Sequence, residues 1–212
     1  MGLGEFLNLG GDGSPRIFGV VVALVTDNKD EEEQGRVKIK FPWMGDEAGE
    51  AWARLATLMG GKDRGMVFYP EVDDEVLVVF EQGNINYPYV IGALWNGKDK
   101  PPEKNSDGKN NIKMIKSRSG HTIIIDDKEG KEKIEIIDKS KKNKICIDSS
   151  KKKISMECEG DIELSAAKGK VSIKAKEIEI KSSSSAKIEA SAGMDLKASG
   201  IMKIKGSMVN IN

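Results

Sequence analysis

Ile154-Ser155-Met156, Ile162-Glu163-Leu164, Val171-Ser172-Ile173, Ile178-Glu179-Ile180, Ala186-Lys187-Ile188, Met194-Asp195-Leu196, Met202-Lys203-Ile204 and Val209-Asn210-Ile211 repeat one pattern, an apolar pair around a single middle residue. Successive triplets begin 8, 9, 7, 8, 8, 8 and 7 residues apart, a period close to eight. Side chains alternate faces along a strand, so both apolar residues of a triplet share one face and the middle residue takes the other. A strand with two apolar side chains cannot form a core alone and must stack on its neighbours. Gly160, Gly169, Gly193, Gly200 and Gly206 fall between triplets, where the chain must turn. Upstream, Ile123/Ile125, Ile134/Ile136 and Ile145/Ile147 follow a looser spacing of about eleven. With Ala and Ser between the pairs and no aromatic residue after Trp95, the axis of the stack must be narrow. Two architectures fit: a single-chain solenoid, or three chains wound about one axis.

The 212 residues can bury one good core or two smaller ones, and the two halves are built differently. All eleven aromatic residues lie at or before Trp95 and all six prolines at or before Pro102. Residues 1–100 carry 10 Lys+Arg against 17 Asp+Glu, and the remainder carries 24 against 17, so the net charge of zero is a sum of opposites. An acidic first half lacks the clustered cations that phosphate neutralisation needs. The positive excess of the second half is interleaved with Glu and Asp, as on a solvated face. Cys146 and Cys158 form neither a disulfide framework nor a spaced metal set. The N-terminus has no basic n-region with a long apolar run, and no stretch approaches 18 apolar residues. The expected organisation is an N-terminal segment over 1–16, a barrel over 17–97, a polar, turn-rich linker over 98–111 and a repeat needle over 112–212.

Short alternating or β-branched runs dominate the first hundred residues: 18–25, 36–41, 51–56, 65–69, 75–80 and 89–95. Val37, Ile39 and Phe41 share one face, and Pro42 ends their run. Five or six such strands without helical periodicity predict a closed five-stranded barrel of the OB type.

The same residues carry a resemblance. Gly35-Arg36-Val37-Lys38-Ile39-Lys40-Phe41-Pro42-Trp43, Ala51-Trp52-Ala53-Arg54-Leu55, Phe68-Tyr69-Pro70-Glu71-Val72-Asp73-Asp74-Glu75-Val76-Leu77-Val78, Gly83 through Pro88, and Ile91-Gly92-Ala93-Leu94-Trp95-Asn96-Gly97 stand in a fixed order. This series resembles the OB domain shared by phage baseplate assembly protein V and the VgrG spikes of type VI secretion. Residues 116–127 resemble the segment that opens the spike's β-helix in that family. The resemblance implies an all-β chain with an OB-fold barrel followed by an intertwined triple-stranded β-helix in a homotrimer. It implies the central spike of a contractile injection system, whether phage tail, tailocin, extracellular injection system or type VI apparatus.

On that reading Ile154, Met156, Ile162, Leu164, Val171, Ile173, Ile178, Ile180, Ile188, Met194, Leu196, Met202 and Ile204 line the trimer axis. Met208, Val209, Asn210, Ile211 and Asn212 form a blunt platform for a PAAR-type tip protein. Phe6, Leu7 and Leu9 reach a separate hub protein, because the family's larger hub domain has no counterpart here. The spike is expected to assemble in the bacterial cytoplasm, to be delivered outward on contraction, to touch the target membrane transiently, and to bind no nucleic acid and no cofactor. Some relatives hold iron at the tip through a His-x-His pair; the segment from Gly206 to Asn212 has no histidine, so no tip metal is expected.

His121, the single histidine, reads as a packing or hydrogen-bonding residue at the start of a strand. Asp126-Asp127-Lys128-Glu129-Gly130 reads as a hairpin turn rather than a calcium loop. The run from Asp30 to Glu33 reads as a solvated loop. Parity turns Cys146 outward and Cys158 inward, and neither has the neighbours of an activated thiolate. The chain is not expected to be an enzyme, since one histidine and two unpaired cysteines assemble no catalytic constellation and there is no room for an inserted muramidase domain. The alternatives are an OB ligand-binder for oligonucleotide or glycan, which requires stacking aromatics in a basic groove, and a secreted toxin, which requires a catalytic set.

Overall fold

The computed structural model describes residues 16–45 and 49–210, and the chain divides into two units, Met1–Asp161 and Ile162–Asn212. Phe6, Leu7 and Leu9 of the expected hub contact, and Ile211 and Asn212 of the expected tip platform, lie outside the described residues.

The alternating run at 36–41 becomes β2 (Arg36–Lys40). Its apolar residues Val37 and Ile39 are fully buried, followed by Phe41, while Lys40 is exposed. β2 pairs antiparallel with β1 (Val21–Asp27) and β3 (Glu50–Leu55), and β1 also pairs with β6 (Glu75–Phe80). β7 (Pro88–Ala93) runs antiparallel to β6 and parallel to β3 through Arg54↔Tyr89 and Leu55↔Val90. The order β1-β2-β3-β7-β6 therefore closes into an OB-like barrel. Register shifts between Val25 and Asp27 and between Leu77 and Val78 mark the irregularities that let strands bend into closure.

Inside the barrel Val25, Val37, Ile39, Val76, Val78 and Val90 are almost wholly buried, each stabilising the fold by ~1.5–3 kcal/mol. Phe41 and Phe80 meet beside them in a tilted ring pair, 5.6 Å between centroids.

The strand expected over 65–69 does not form as such. Only Arg64–Gly65 (β5) pairs, with Gly60–Gly61 (β4), in a two-residue ribbon. A Cβ on Gly65 would lie 2.8 Å from the Met59 carbonyl, so the two arms approach more closely than a side chain allows. Beyond it Val67 and Phe68 are exposed, and Pro70 has no N–H to offer a ladder.

Residues 112–157 form a second sheet, an antiparallel meander of β8 (Ile112–Lys116), β9 (Thr122–Asp126), β10 (Lys133–Ile137), β11 (Lys144–Asp148) and β12 (Lys153–Glu157). Here the spacing of eleven acquires its meaning: a five-residue strand plus a six-residue connection, 127–132 or 138–143, closes a hairpin within one chain. The expected turn lies between β9 and β10, where the Asp126 side chain accepts from the Lys128 N–H and the Lys131 N–H donates to the Lys128 carbonyl. Arg118, between β8 and β9, pairs with Glu71 beside the barrel's β6 at 2.6 Å.

The octad region contrasts with this sheet. Over described residues 162–210 no strand ladder forms and every residue is exposed. Only three residues separate one five-residue strand from the next at a period of eight, too few for the six-residue connections of the meander.

Candidate functional site

The meander has two unlike faces, and register defines both. On one, Ile123 lies opposite Ile115 and Ile136, Ile134 opposite Ile125 and Ile147, and Ile145 opposite Ile136 and Met156, with Ile154 opposite Ile147. All nine of these apolar side chains are more than 40% exposed, from Ile145 at 41% to Ile154 at 71%. A continuous aliphatic surface across five strands is larger than a soluble single chain ordinarily leaves uncovered, and marks an interaction face.

On the other face the centre is the row Met114, Ile124, Glu135, Cys146 and Ser155. Glu135 is buried at 7% exposure beneath Lys133, 2.8 Å away, and Lys144, 3.5 Å away. Burial opposes its ionisation, but the two ammonium groups outweigh that and hold its carboxyl below the usual range. The flanking row Asp126, Lys133, Asp148 and Lys153 alternates in sign across four strands, the arrangement that stabilises cross-strand pairs. Asp148 is drawn down to about 2, first by the Ser150 hydroxyl and then by the Lys151 N–H and ammonium. The acids and bases of this charged face pair with one another, whereas the isoleucine face stays exposed among the described residues.

Of the thirteen expected axis residues, Ile154 and Met156 join the isoleucine face on β12. Ile162, Leu164, Val171, Ile173, Ile178, Ile180, Ile188, Met194, Leu196, Met202 and Ile204 follow in the second unit, each between 46% and 80% exposed. Met208, Val209 and Asn210 are exposed beyond them. Ile115, Ile123, Ile125, Ile134, Ile136, Ile145 and Ile147 belong to the same kind of surface but were not among the expected axis residues, although six of them carry the same pair signature.

The other singled-out residues take structural roles. His121 Nδ1 accepts from the Lys139 N–H at 3.2 Å, and its own N–H donates to the Ser117 hydroxyl. Cys146 faces away from the isoleucines, as parity demands, yet is buried rather than solvent-facing. Cys158 lies past β12, is exposed, and donates to the Asp161 carbonyl. Asp30 does more than sit in a solvated loop: its carboxylate takes Arg36 Nη2 at 2.8 Å and Nε at 3.1 Å, and accepts from the N–H groups of Glu32, Gln34 and Arg36. That donor set, the Arg36 guanidinium foremost, holds its carboxyl far below the usual range. Among the described residues no group of three or more His, Cys, Asp or Glu is placed to hold a metal ion.

The barrel's outer surface has a feature the sequence reading missed. Lys38 lies opposite Trp52, Arg36 opposite Arg54, and Arg54 opposite Tyr89. Arg36 and Lys38 sit 5.4 and 5.1 Å from the Trp52 ring, and Arg54 5.5 Å from that of Tyr89. Strand parity gives each residue's face, but the register across three strands decides that they meet.

Residues 21–95, which span the closed barrel, match the family of type VI secretion system/phage-baseplate injector OB domains. The chain is also 32% identical over 133 residues to the type VI secretion system spike protein VgrG5 of Pseudomonas aeruginosa, covering 57% of this chain and 17% of the relative. It is 35% identical over 112 residues to the spike protein VgrG2a of the same organism, covering 49% and 13%. It is 32% identical over 96 residues to the actin cross-linking toxin VgrG1 of Vibrio cholerae, covering 42% and 9%. Residues 21–95 thus resemble the injector OB domains of type VI secretion and phage baseplates. The chain that carries them is a relative of the VgrG-type baseplate spike proteins, and spans less than a fifth of the length of these three.

Proposed function

We propose that the chain is the structural central spike of a contractile injection system, a non-enzymatic homotrimer whose C-terminal part is an intertwined triple-stranded β-helix. The observation that carries this reading is the isoleucine face of β8–β12 together with the octads that follow it: aliphatic pairs left exposed by the described residues. Three copies about one axis bring the three isoleucine faces together as the inner walls of a prism. The octads then continue downward with their backbone groups paired between chains, which also removes exposed strand edges. Burying half-exposed aliphatic side chains contributes ~1 kcal/mol each, on every chain and at every level.

The mechanical role follows from that construction. Interlocked strands with hydrogen bonds along the axis transmit thrust, and the outer rows of Lys, Glu, Asp and Ser keep the rod soluble. The N-terminal segment around Phe6, Leu7 and Leu9 reaches a separate hub protein under the tail tube. Met208, Val209, Asn210, Ile211 and Asn212 carry a PAAR-type tip protein, and the needle meets the target membrane only on contraction. Assembly takes place in the bacterial cytoplasm as part of a phage-tail-like particle.

The experiment is genetic: particles made in the native host without this chain are expected to lose delivery, restored by the wild-type chain but not by a chain bearing Ile136→Asp. Full delivery without the chain would exclude the spike role.

A further inference from the structure

Along the five octads Val171/Ile173, Ile178/Ile180, Ala186/Ile188, Met194/Leu196 and Met202/Ile204, the positions on the other side of the strand carry a second pattern. The residue inside each apolar pair and the residue that follows the pair share that side. Three consecutive octads present there Glu179 and Lys181, then Lys187 and Glu189, then Asp195 and Lys197. Set one above another, these rows form a checkerboard in which each acid borders only bases. Two rows are already paired along their length: Lys181 Nζ lies 2.5 Å from Glu179, and Lys187 Nζ 2.5 Å from Glu189. Among the described residues of the second unit the ion pairs run along rows and none runs between them, which leaves the vertical contacts open.

The meander shows the rule that fills them. Wherever two charged residues stand directly opposite in its register, their signs differ: Asp126 and Lys133, Lys133 and Asp148, Asp148 and Lys153, Lys144 and Glu157. Applied to the five octads, the rule selects one stacking. Parallel strands displaced by one octad oppose six unlike pairs and two like ones, Lys174 on Lys181 and Lys197 on Lys205. With no displacement every charge meets its own kind. A displacement of two octads sets Glu179 on Asp195, Lys187 on Lys203 and Lys181 on Lys197. Three octads, the step of a single chain that turns once every three strands, sets Lys174 on Lys197 and Lys181 on Lys205. Antiparallel strands would bring Lys170 onto Lys181 and Glu177 onto Glu189. A parallel neighbour within one chain needs a crossover of about a dozen residues or more, and an octad leaves only a few between strands. The strand displaced by one octad therefore belongs to a second copy.

We infer that the outer faces of the octad region carry an interchain ladder of alternating charge, each of these three rows lying against the next row of a neighbouring copy. The ladder rests on the spike reading and adds to it the device that sets the register. The apolar pairs are nearly interchangeable from octad to octad, so they hold a slipped copy as well as an aligned one. The charges do not: a copy slipped by one octad meets Glu179 with Asp195 on one side and Asp195 with Asp195 on the other. An exposed ion pair is weak alone, but here each recurs on three faces.

Exchanging one row tests this in the full chain. Lys187→Glu with Glu189→Lys keeps the composition, the net charge and the pair within the row, and makes all four contacts to the adjoining rows like-charged. The exchanged chain is expected to melt about 5 °C or more below the wild type at low salt. The gap should shrink in about 1 M salt, where screening acts within about 3 Å. Adding Glu179→Lys, Lys181→Glu, Asp195→Lys and Lys197→Glu exchanges all three rows; it should recover most of the lost melting temperature, or recover assembly if the single exchange abolishes it. Sedimentation of the unaltered chain separates the two readings. A monomer would overturn the spike and the ladder together. A trimer whose single-row exchange melts like the wild type, or whose three-row exchange recovers nothing, would overturn the ladder alone.

Discussion

Ile136 on β10 lies directly across from Ile145 on β11, and although paired in register the two remain 50% and 41% exposed. Cross-strand neighbours shield each other's flanks, not the outward tip of the side chain, so only a second layer can cover them. In the proposed trimer that layer is the same face of two other chains. Replacing Ile136 with Asp places three carboxylates at the centre of that layer. The substitution is expected to convert the trimer to monomer in sedimentation, whereas Glu129→Lys, at an exposed turn, leaves it intact.

Ile180 offers a sharper discrimination because it is 80% exposed in the single chain. If that surface faces water, Ile180→Lys changes stability by no more than about 0.5 kcal/mol, as ordinary surface substitutions do. If it faces the axis, three lysines meet there, and the melting temperature and SDS resistance of the assembly fall together. Thermal denaturation followed by unheated gel electrophoresis reads both.

The sequence made much of this legible and concealed the rest for physical reasons. Alternation at Val37, Ile39 and Phe41 announced the inner face of β2, and the run at 75–80 became β6 without change, because one buried face and one register leave no choice. The apolar run at 66–69 misled: Met66, Val67, Phe68 and Tyr69 have strand-like composition, but no strand among the described residues receives them. The pair signature marks exposed aliphatic residues at both spacings, but only the structure separates hairpins at eleven from octads without a ladder at eight. The grouping of Trp52, Arg54 and Tyr89 depends on long-range pairing between strands, which no local pattern records.

Asp30 ties the loop between β1 and β2 to Arg36, and its ionised form is the one the fold favours. A carboxylate whose folded pKa is depressed stabilises the fold fully above its unfolded value and loses that contribution as pH falls toward the folded value. The barrel's melting temperature should therefore decline as pH drops below about 4. Asp30→Asn should show a lower melting temperature at neutral pH and a flatter decline in acid, as measured by circular dichroism across that range. Asp148, held at about 2, adds a decline of the same sign from the second sheet.

Gly83 joins the chain before β1 to the barrel: its carbonyl accepts from the Ile17 N–H at 2.9 Å, and it adopts φ +80°. A Cβ there would lie 3.0 Å from the Phe18 ring. Gly83→Ala is expected to destabilise the barrel by ~1–2 kcal/mol from backbone strain and the ring's displacement, seen in urea denaturation as a lower midpoint with an unchanged slope.

The spike role turns on whether three chains share one axis, and sedimentation equilibrium of the purified full chain measures this directly. The spike predicts a single species at three times 23.1 kDa, about 69 kDa, across the accessible concentration range. A stable species at 23.1 kDa, with its isoleucine face left in water, would contradict it.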